Sequence, residues 1–254
     1  MTRPLSRRGT ATATFARELL RRWPSLLFMV GLPTAFFAVS YATSDGAVTV
    51  PARSVVATAD ASAFVADRHV EALYLTVLGI SVSASFAALA AVRGSAGLAR
   101  RLRICGYRAH ELLAGRVAVL AVVTAAAAMF FLAVLAPLVP LARPALVAAA
   151  TVEVGLTGVA LGALLGSVFT REFEAAMLAV AAGGLQVAVG RSGADAERWM
   201  LYTPAVDAMK AAAFGGARPA AALARGFVYV AVLLGLALIA WARATRVAPG
   251  GRSA

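Results

Sequence analysis

The chain has 254 residues, 61% of them hydrophobic and 14% charged, with a formal net charge of +12, and its mean hydropathy is +0.82. A soluble domain carries roughly 45–50% apolar and about 25% charged residues, so this composition excludes an ordinary soluble globule and reads as an integral membrane protein. Nucleic acid does not account for the charge, because almost every basic cluster abuts an apolar run and no aromatics are interleaved with it; with a single cysteine, Cys105, an intramolecular disulfide and a cysteine-built metal site are excluded too.

In chain order, residues 1–22 form a basic tail in which "FARELLRRW" puts Phe15, Leu19 and Trp23 on one helical side and Arg17 and Arg21 on the other. That is the pattern of an interfacial helix lying on a membrane surface. The string Ser6-Arg7-Arg8 is not an export signal, because Arg17, Arg21 and Arg22 intervene before any apolar region. Six stretches then approach the roughly 20 apolar residues that a spanning helix needs. They run from Trp23 to Thr43, Val70 to Val92, Leu112 to Ala136, Ala145 to Phe169, Ala175 to Val189 and Ala222 to Ala242. The fifth is short; it either continues into Gly190 and beyond or crosses a thinned bilayer. No internal repeat and no polar block is present, so residues 1–254 read as one transmembrane unit of all-α class with six transmembrane helices.

Arginine placement sets the expected orientation, since basic loops stay in the cytoplasm. One face collects Arg3, Arg7, Arg8, Arg17, Arg21 and Arg22, then Arg93, Arg100, Arg101, Arg103, Arg108 and Arg116, then Arg171, Arg243, Arg246 and Arg252. The other carries mixed charge, including Asp67, Glu71, Glu197, Asp207, Arg143, Lys210 and Arg225. The expectation is a multi-pass protein of the plasma membrane with both termini cytoplasmic.

The second connection, residues 93–111, holds more arginine than topology requires. In "SAGLARRLRI", Ser95 can cap a short helix that aligns Leu98, Leu102 and Cys105 along one side, with Arg100, Arg101 and Arg103 around the others. A solvated charged loop is the alternative on spacing alone. In the last outer loop, residues 190–221, "RWMLYTPAVDAMKAAAFGG" opens a helix at Pro204 with Thr203 as its cap and closes it at Gly215-Gly216. About 11 residues span roughly 16 Å, too short to cross, so a re-entrant or interfacial helix is expected.

Inside the spans, Glu153 is the one acid well within an apolar stretch, and such acids are costly enough to be functional candidates. Gly158, Gly162 and Gly166 form a small-residue ridge for close helix packing, about 140–220° around the helix from Glu153. Ser81 and Ser85 are one turn apart, suited to interhelical hydrogen bonds or, less strongly, to a substrate path; Gln186 admits the same choice. Catalysis has little support: His69 and His110 fall on opposite sides of the membrane, so no metal site or proton relay joins them. There is no phosphate-cradling loop, and Lys210 is the only lysine, so the chain holds no ATP of its own.

The connection resembles that of the permease subunits of type 2 ATP-binding-cassette exporters. The matching residues are Gly97-Leu98, Arg101-Leu102, Arg108, Glu111-Leu112 and Gly115-Arg116; Arg93 stands where an acid is common and Gly106 where proline is frequent. The resemblance implies that residues 1–22 end in an elbow helix, that residues 93–111 are a coupling segment, and that short helices sit between the fifth and sixth spans. It further implies cytoplasmic ATPase subunits that carry ATP and magnesium, and a second permease copy or sister permease. In such a segment Gly97, Leu98, Arg101, Leu102, Arg108 and Glu111 meet the ATPase, with Leu98 and Leu102 filling a groove on it. The substrate would be hydrophobic or amphipathic. A non-transporting scaffold or regulatory subunit is the rival reading; an intramembrane enzyme is weaker.

Overall fold

Lipid offers backbone amides no partner, so long runs of Ala, Leu and Val wind into helices that satisfy their own hydrogen bonds. The structure, a computed structural model, describes residues 7–21, 23–43, 48–51, 56, 64–94, 96–192, 197 and 199–245. Among them lie nine helices: α1 (Arg7–Arg21), α2 (Trp23–Thr43), α3 (Asp67–Gly94), α4 (Ala96–Ile104), α5 (Ala109–Leu135), α6 (Pro144–Val168), α7 (Glu172–Ser192), α8 (Thr203–Ala213) and α9 (Pro219–Ala244). Five of these, α3, α5, α6, α7 and α9, are long and apolar enough to cross a membrane. Helix α2 covers the first predicted stretch with 21 residues. The fifth stretch takes the first of its two expected alternatives, continuing through Gly190 to Ser192, and α7 starts earlier than expected, at Glu172.

The all-α expectation is corrected at one place. Strands β1 (Thr49–Pro51) and β2 (Phe64–Ala66) pair antiparallel, Thr49 opposite Ala66 and Pro51 opposite Phe64. Three residues each is too little for a periodicity to register in the sequence, and the pairing rests on context: Val65 and the buried Val56 pack with Ala211 and Phe214 of the α8 region.

The centre of the bundle is α6 against α3. In their apolar windows 67% and 78% of residues are buried, against 22% in α5, α7 and α9. The outward faces of those three helices carry Val122, Met129, Phe173, Leu185, Val232 and Ile239, all exposed. Such a surface is stable against lipid and a liability in water. The α6 glycines lie on the main chain of α3: Gly158 meets the Ser81 carbonyl, Gly162 the Ser85 carbonyl, and Gly166 the Leu89 carbonyl and Val92. Three buried threonine hydroxyls find partners one turn back, Thr76 on Ala72, Thr151 on Val147 and Thr157 on Glu153, whereas those of Ser83 and Thr124 have none among the described residues.

Gly162→Ala is therefore expected to lower the unfolding midpoint in detergent. A methyl there collides with backbone rather than with a flexible tip, and overpacking of about 1–3 kcal/mol outweighs the helix-propensity gain of up to about 1 kcal/mol. Gly235→Ala on α9, where a Cβ has nothing within 4 Å, isolates the propensity term. Its midpoint should stay level or rise.

Helix α1 differs from the expected surface helix. Phe15 and Leu19, each 7% exposed, turn inward rather than toward lipid, in a cluster with Leu120 of α5, the helix on which α1 chiefly packs, while Leu20 is 68% exposed. Trp23, the third residue expected on that side, belongs to the next helix, because α1 stops at Arg21 and α2 opens at Trp23. Close approach is possible because α5 offers Gly115 there, where an added Cβ would lie 3.2 Å from Thr12 Oγ1.

Candidate functional site

The arginine-rich end is built on helix termini. Helix α4 follows α3 directly; Ser95, its expected cap, lies outside the described residues. Ala99, fully buried, anchors α4 beside Val92, Leu112 and Trp241. Gly106 ends it with φ +86°, its own amide bonding to the Arg103 carbonyl at 3.0 Å and the Tyr107 amide to the Leu102 carbonyl at 3.1 Å. This explains the departure from proline at that position, because proline's φ is fixed near −65°.

The Arg108 amide then donates to Glu111 Oε2 at 2.9 Å and starts α5. Glu111 is thus a helix cap in this chain. Of the six residues expected to couple, Gly97, Leu98, Arg101 and Arg108 are exposed, and Leu102 and Glu111 are half-buried. Ile104, 74% exposed, and Cys105 share that surface.

Leu98 and Leu102 have a second role that sequence spacing does not announce. With Phe15, Tyr107, Leu112 and Arg116 they wall a groove of about 140 Å³ between α1, α4 and α5. Arg116 is 5% exposed, its guanidinium 4.9 Å from the Trp241 ring centre and 5.9 Å from that of Phe15. Other arginines of this end hold carbonyls. Arg93 donates to Phe169 O at 3.2 Å and to Thr170 O, and Arg103 donates to Ala242 O at 3.3 Å and Thr245 Oγ1 at 3.0 Å. Cations at helix C-termini satisfy orphan carbonyls. Part of the arginine excess is therefore structural.

The interior candidates divide across α6. Ser85 is fully buried and donates to the Gly158 carbonyl at 3.0 Å, joining α3 to α6, while Ser81 bonds back to Leu78 of its own helix at 3.1 Å. On the opposite side of α6, Glu153 is 1% exposed and presses its carboxylate against Gly226 of α9. Its Oε2 has no hydrogen-bond partner. A side chain on α9 at that position would displace it. The serines and Glu153 therefore do not line one space.

At the far end, α8 is buried on nearly every side and sits within the bundle's outer layer against α6 and α9. Thr203 is its first residue rather than its cap, its hydroxyl donating back to the Glu197 carbonyl. Gln186 of α7 supplies the N-terminal contacts instead, accepting the Tyr202 amide at 3.2 Å and donating to Thr203 Oγ1 at 3.4 Å. Gly215, with φ +78°, follows the helix, and the amides of Ala142 and Arg143 reach its last carbonyls, Ala213 and Ala212, at 3.0 and 2.9 Å. A buried helix end needs such partners.

Around α8 stands a polar cluster that no sequence motif marks. Lys210 Nζ lies 3.2 Å from Glu197 Oε1 and 3.2 Å from the Tyr74 hydroxyl, and Tyr74 reaches the Gly190 carbonyl at 2.9 Å. Asp207 pairs with Arg225 at 3.2 Å. Burial works to lower the Lys210 ammonium, but Tyr74, Glu197 and Asp207 outweigh it and hold its pKa above the ordinary lysine value. Burial raises Asp207, against the pull of Lys210 and Arg225. The buried Tyr202 hydroxyl beside Ser81 and Ser85 is pushed up to about 12 by burial. The one available signal is Lys210 itself, the chain's single lysine, on a helix too short to cross and flanked by alanines.

No known protein family and no curated protein matches this chain.

Proposed function

We propose that the chain is the permease subunit of a type 2 ATP-binding-cassette exporter, crossing the plasma membrane six times with both termini cytoplasmic and α1 as its elbow helix. Separate ATPase subunits supply the energy, and a second permease completes the pathway for a hydrophobic or amphipathic substrate. The observation that carries the reading is α4: a nine-residue helix, standing at the arginine-rich end between two long helices and only lightly packed on them. A topology signal needs charge alone. A helix ended by a left-handed glycine and followed by a capped helix start is a shaped surface, and it supports contact with a partner.

In mechanism, closure of the ATPase pair pushes on α4. Ala99, seated against Val92, Leu112 and Trp241, transmits that push to α3, α5 and α9 together. The glycine contacts between α6 and α3 hold those two helices as one unit, and α9 packs along the other side of α6, so the push reaches α6 from both α3 and α9. Glu153 lies at that α6–α9 contact, against Gly226, and would be uncovered only if the push shifted α9 along α6.

The test is purification of the tagged chain from its own membrane. An ATP-hydrolysing protein should co-purify in stoichiometric amount, and its activity should rise with the transported compound. Purification of the chain without any ATPase favours the scaffold reading.

A further inference from the structure

We propose that the groove between α1, α4 and α5 binds an anionic phospholipid of the adjacent leaflet, with the Arg116 guanidinium taking its phosphate. The inference is independent of the exporter reading; it needs only a chain that sits in a bilayer.

The groove is a cavity of about 140 Å³ whose polar lining is Arg116 together with Thr14, Glu18 and Tyr107. Phe15, Leu98, Leu102 and Leu112 give it apolar sides suited to glycerol and the first methylenes of an acyl chain. Arg116, only 5% exposed, is held between two aromatic rings. Its donors are poorly used: Nη1 reaches the Leu112 carbonyl only at 3.5 Å, and Nε has no hydrogen-bond partner. A buried guanidinium with donors to spare is a standing demand for an anion, and its planar fork matches two phosphate oxygens.

Glu18 on the groove's edge meets part of that demand as a charge. It does not abolish the basic character of the surroundings, because the same two short helices expose Arg17, Arg21 and Arg101. The lipid source follows from the walls. A free phosphate gains nothing from four apolar side chains, whereas a phospholipid brings the apolar portion with it. Net negative headgroups are favoured over choline, whose ammonium the exposed arginines repel.

The test uses the purified whole chain in detergent, incubated with equal amounts of phosphatidylglycerol and phosphatidylcholine of matched acyl chains and read by native mass spectrometry. One phosphatidylglycerol per chain should be retained, with a preference of about fivefold or more over phosphatidylcholine. Arg116→Gln should erase the preference. Leu102→Trp, which fills the groove and leaves Arg116 in place, should reduce retention of both lipids; should Arg116→Gln fail to fold, this variant decides alone. Equal retention of the two lipids by the unaltered chain overturns the proposal. So does undiminished phosphatidylglycerol retention in Leu102→Trp, or displacement of the lipid by soluble glycerol phosphate at equal concentration.

Discussion

Replacing Lys210 by methionine is expected to cost about 3 kcal/mol of stability, the low end for breaking a buried ion pair. The side chain of Lys210 is 10% exposed and that of Glu197 18%, so the abandoned carboxylate keeps little water. For a chain of this size the loss corresponds to a drop of roughly 6–12 °C in unfolding midpoint, measurable by thermal scanning in detergent. Two ties of α8 are lost at once, to Tyr74 on α3 and to Glu197 ahead of the helix, while the bond from Tyr74 to the Gly190 carbonyl of α7 stays. Lys210→Arg should recover part of the loss, and a drop of under about 1 kcal/mol would mean that the pair carries no weight.

The pH dependence has a definite sign. Lys210 has a raised pKa in the folded chain. Its stabilisation is complete below the ordinary lysine value, about 10.4, and disappears as pH climbs through the folded value above it. Between pH 7 and 9 this cluster should therefore add no slope to the stability curve.

The second large effect concerns transmission rather than stability. Arg101 and Ile104 point away from the bundle, whereas Ala99 on the same helix points in. Arg101→Glu with Ile104→Asp should leave membrane insertion and the unfolding midpoint unchanged, and, on the proposed exporter reading, lower substrate-stimulated ATPase activity by at least about tenfold, because the pair reverses a charge and removes an apolar anchor on the surface proposed to meet the ATPase. Leu98→Asp with Leu102→Asp makes an informative contrast. The resemblance to exporter permeases puts both leucines in the partner's groove, but here they wall a groove within the chain. That variant should lose stability as well as coupling.

Much of the scaffold is legible in the order of the amino acids. Apolar runs locate the long helices, the length from Thr203 to Ala213 marks a helix unable to cross, and the spacing of Gly158, Gly162 and Gly166 marks a face for close packing. The features that are not legible have a common cause, contact between residues distant in sequence. Lys210 and Tyr74 are separated by 136 positions. Arg116 reads as one more topogenic arginine, and only the fold puts it between Phe15 and Trp241. The apolar side of α1 is visible in its spacing, but its partner is not, since α5, the helix on which it packs, is apolar nearly all round and marks no one face for it.

Cys105 offers the most direct measurement of the central claim, because it is the chain's only thiol and is exposed at the end of α4. In sealed native vesicles of right-side-out orientation, a membrane-impermeant maleimide should fail to label it until the membrane is opened. A short thiol-to-amine crosslinker placed there should then capture a protein that mass spectrometry identifies by its own nucleotide-binding sequence, in a yield that changes when ATP replaces ADP. Labelling of intact vesicles from outside, or no capture of an ATPase under any nucleotide condition, would contradict the account.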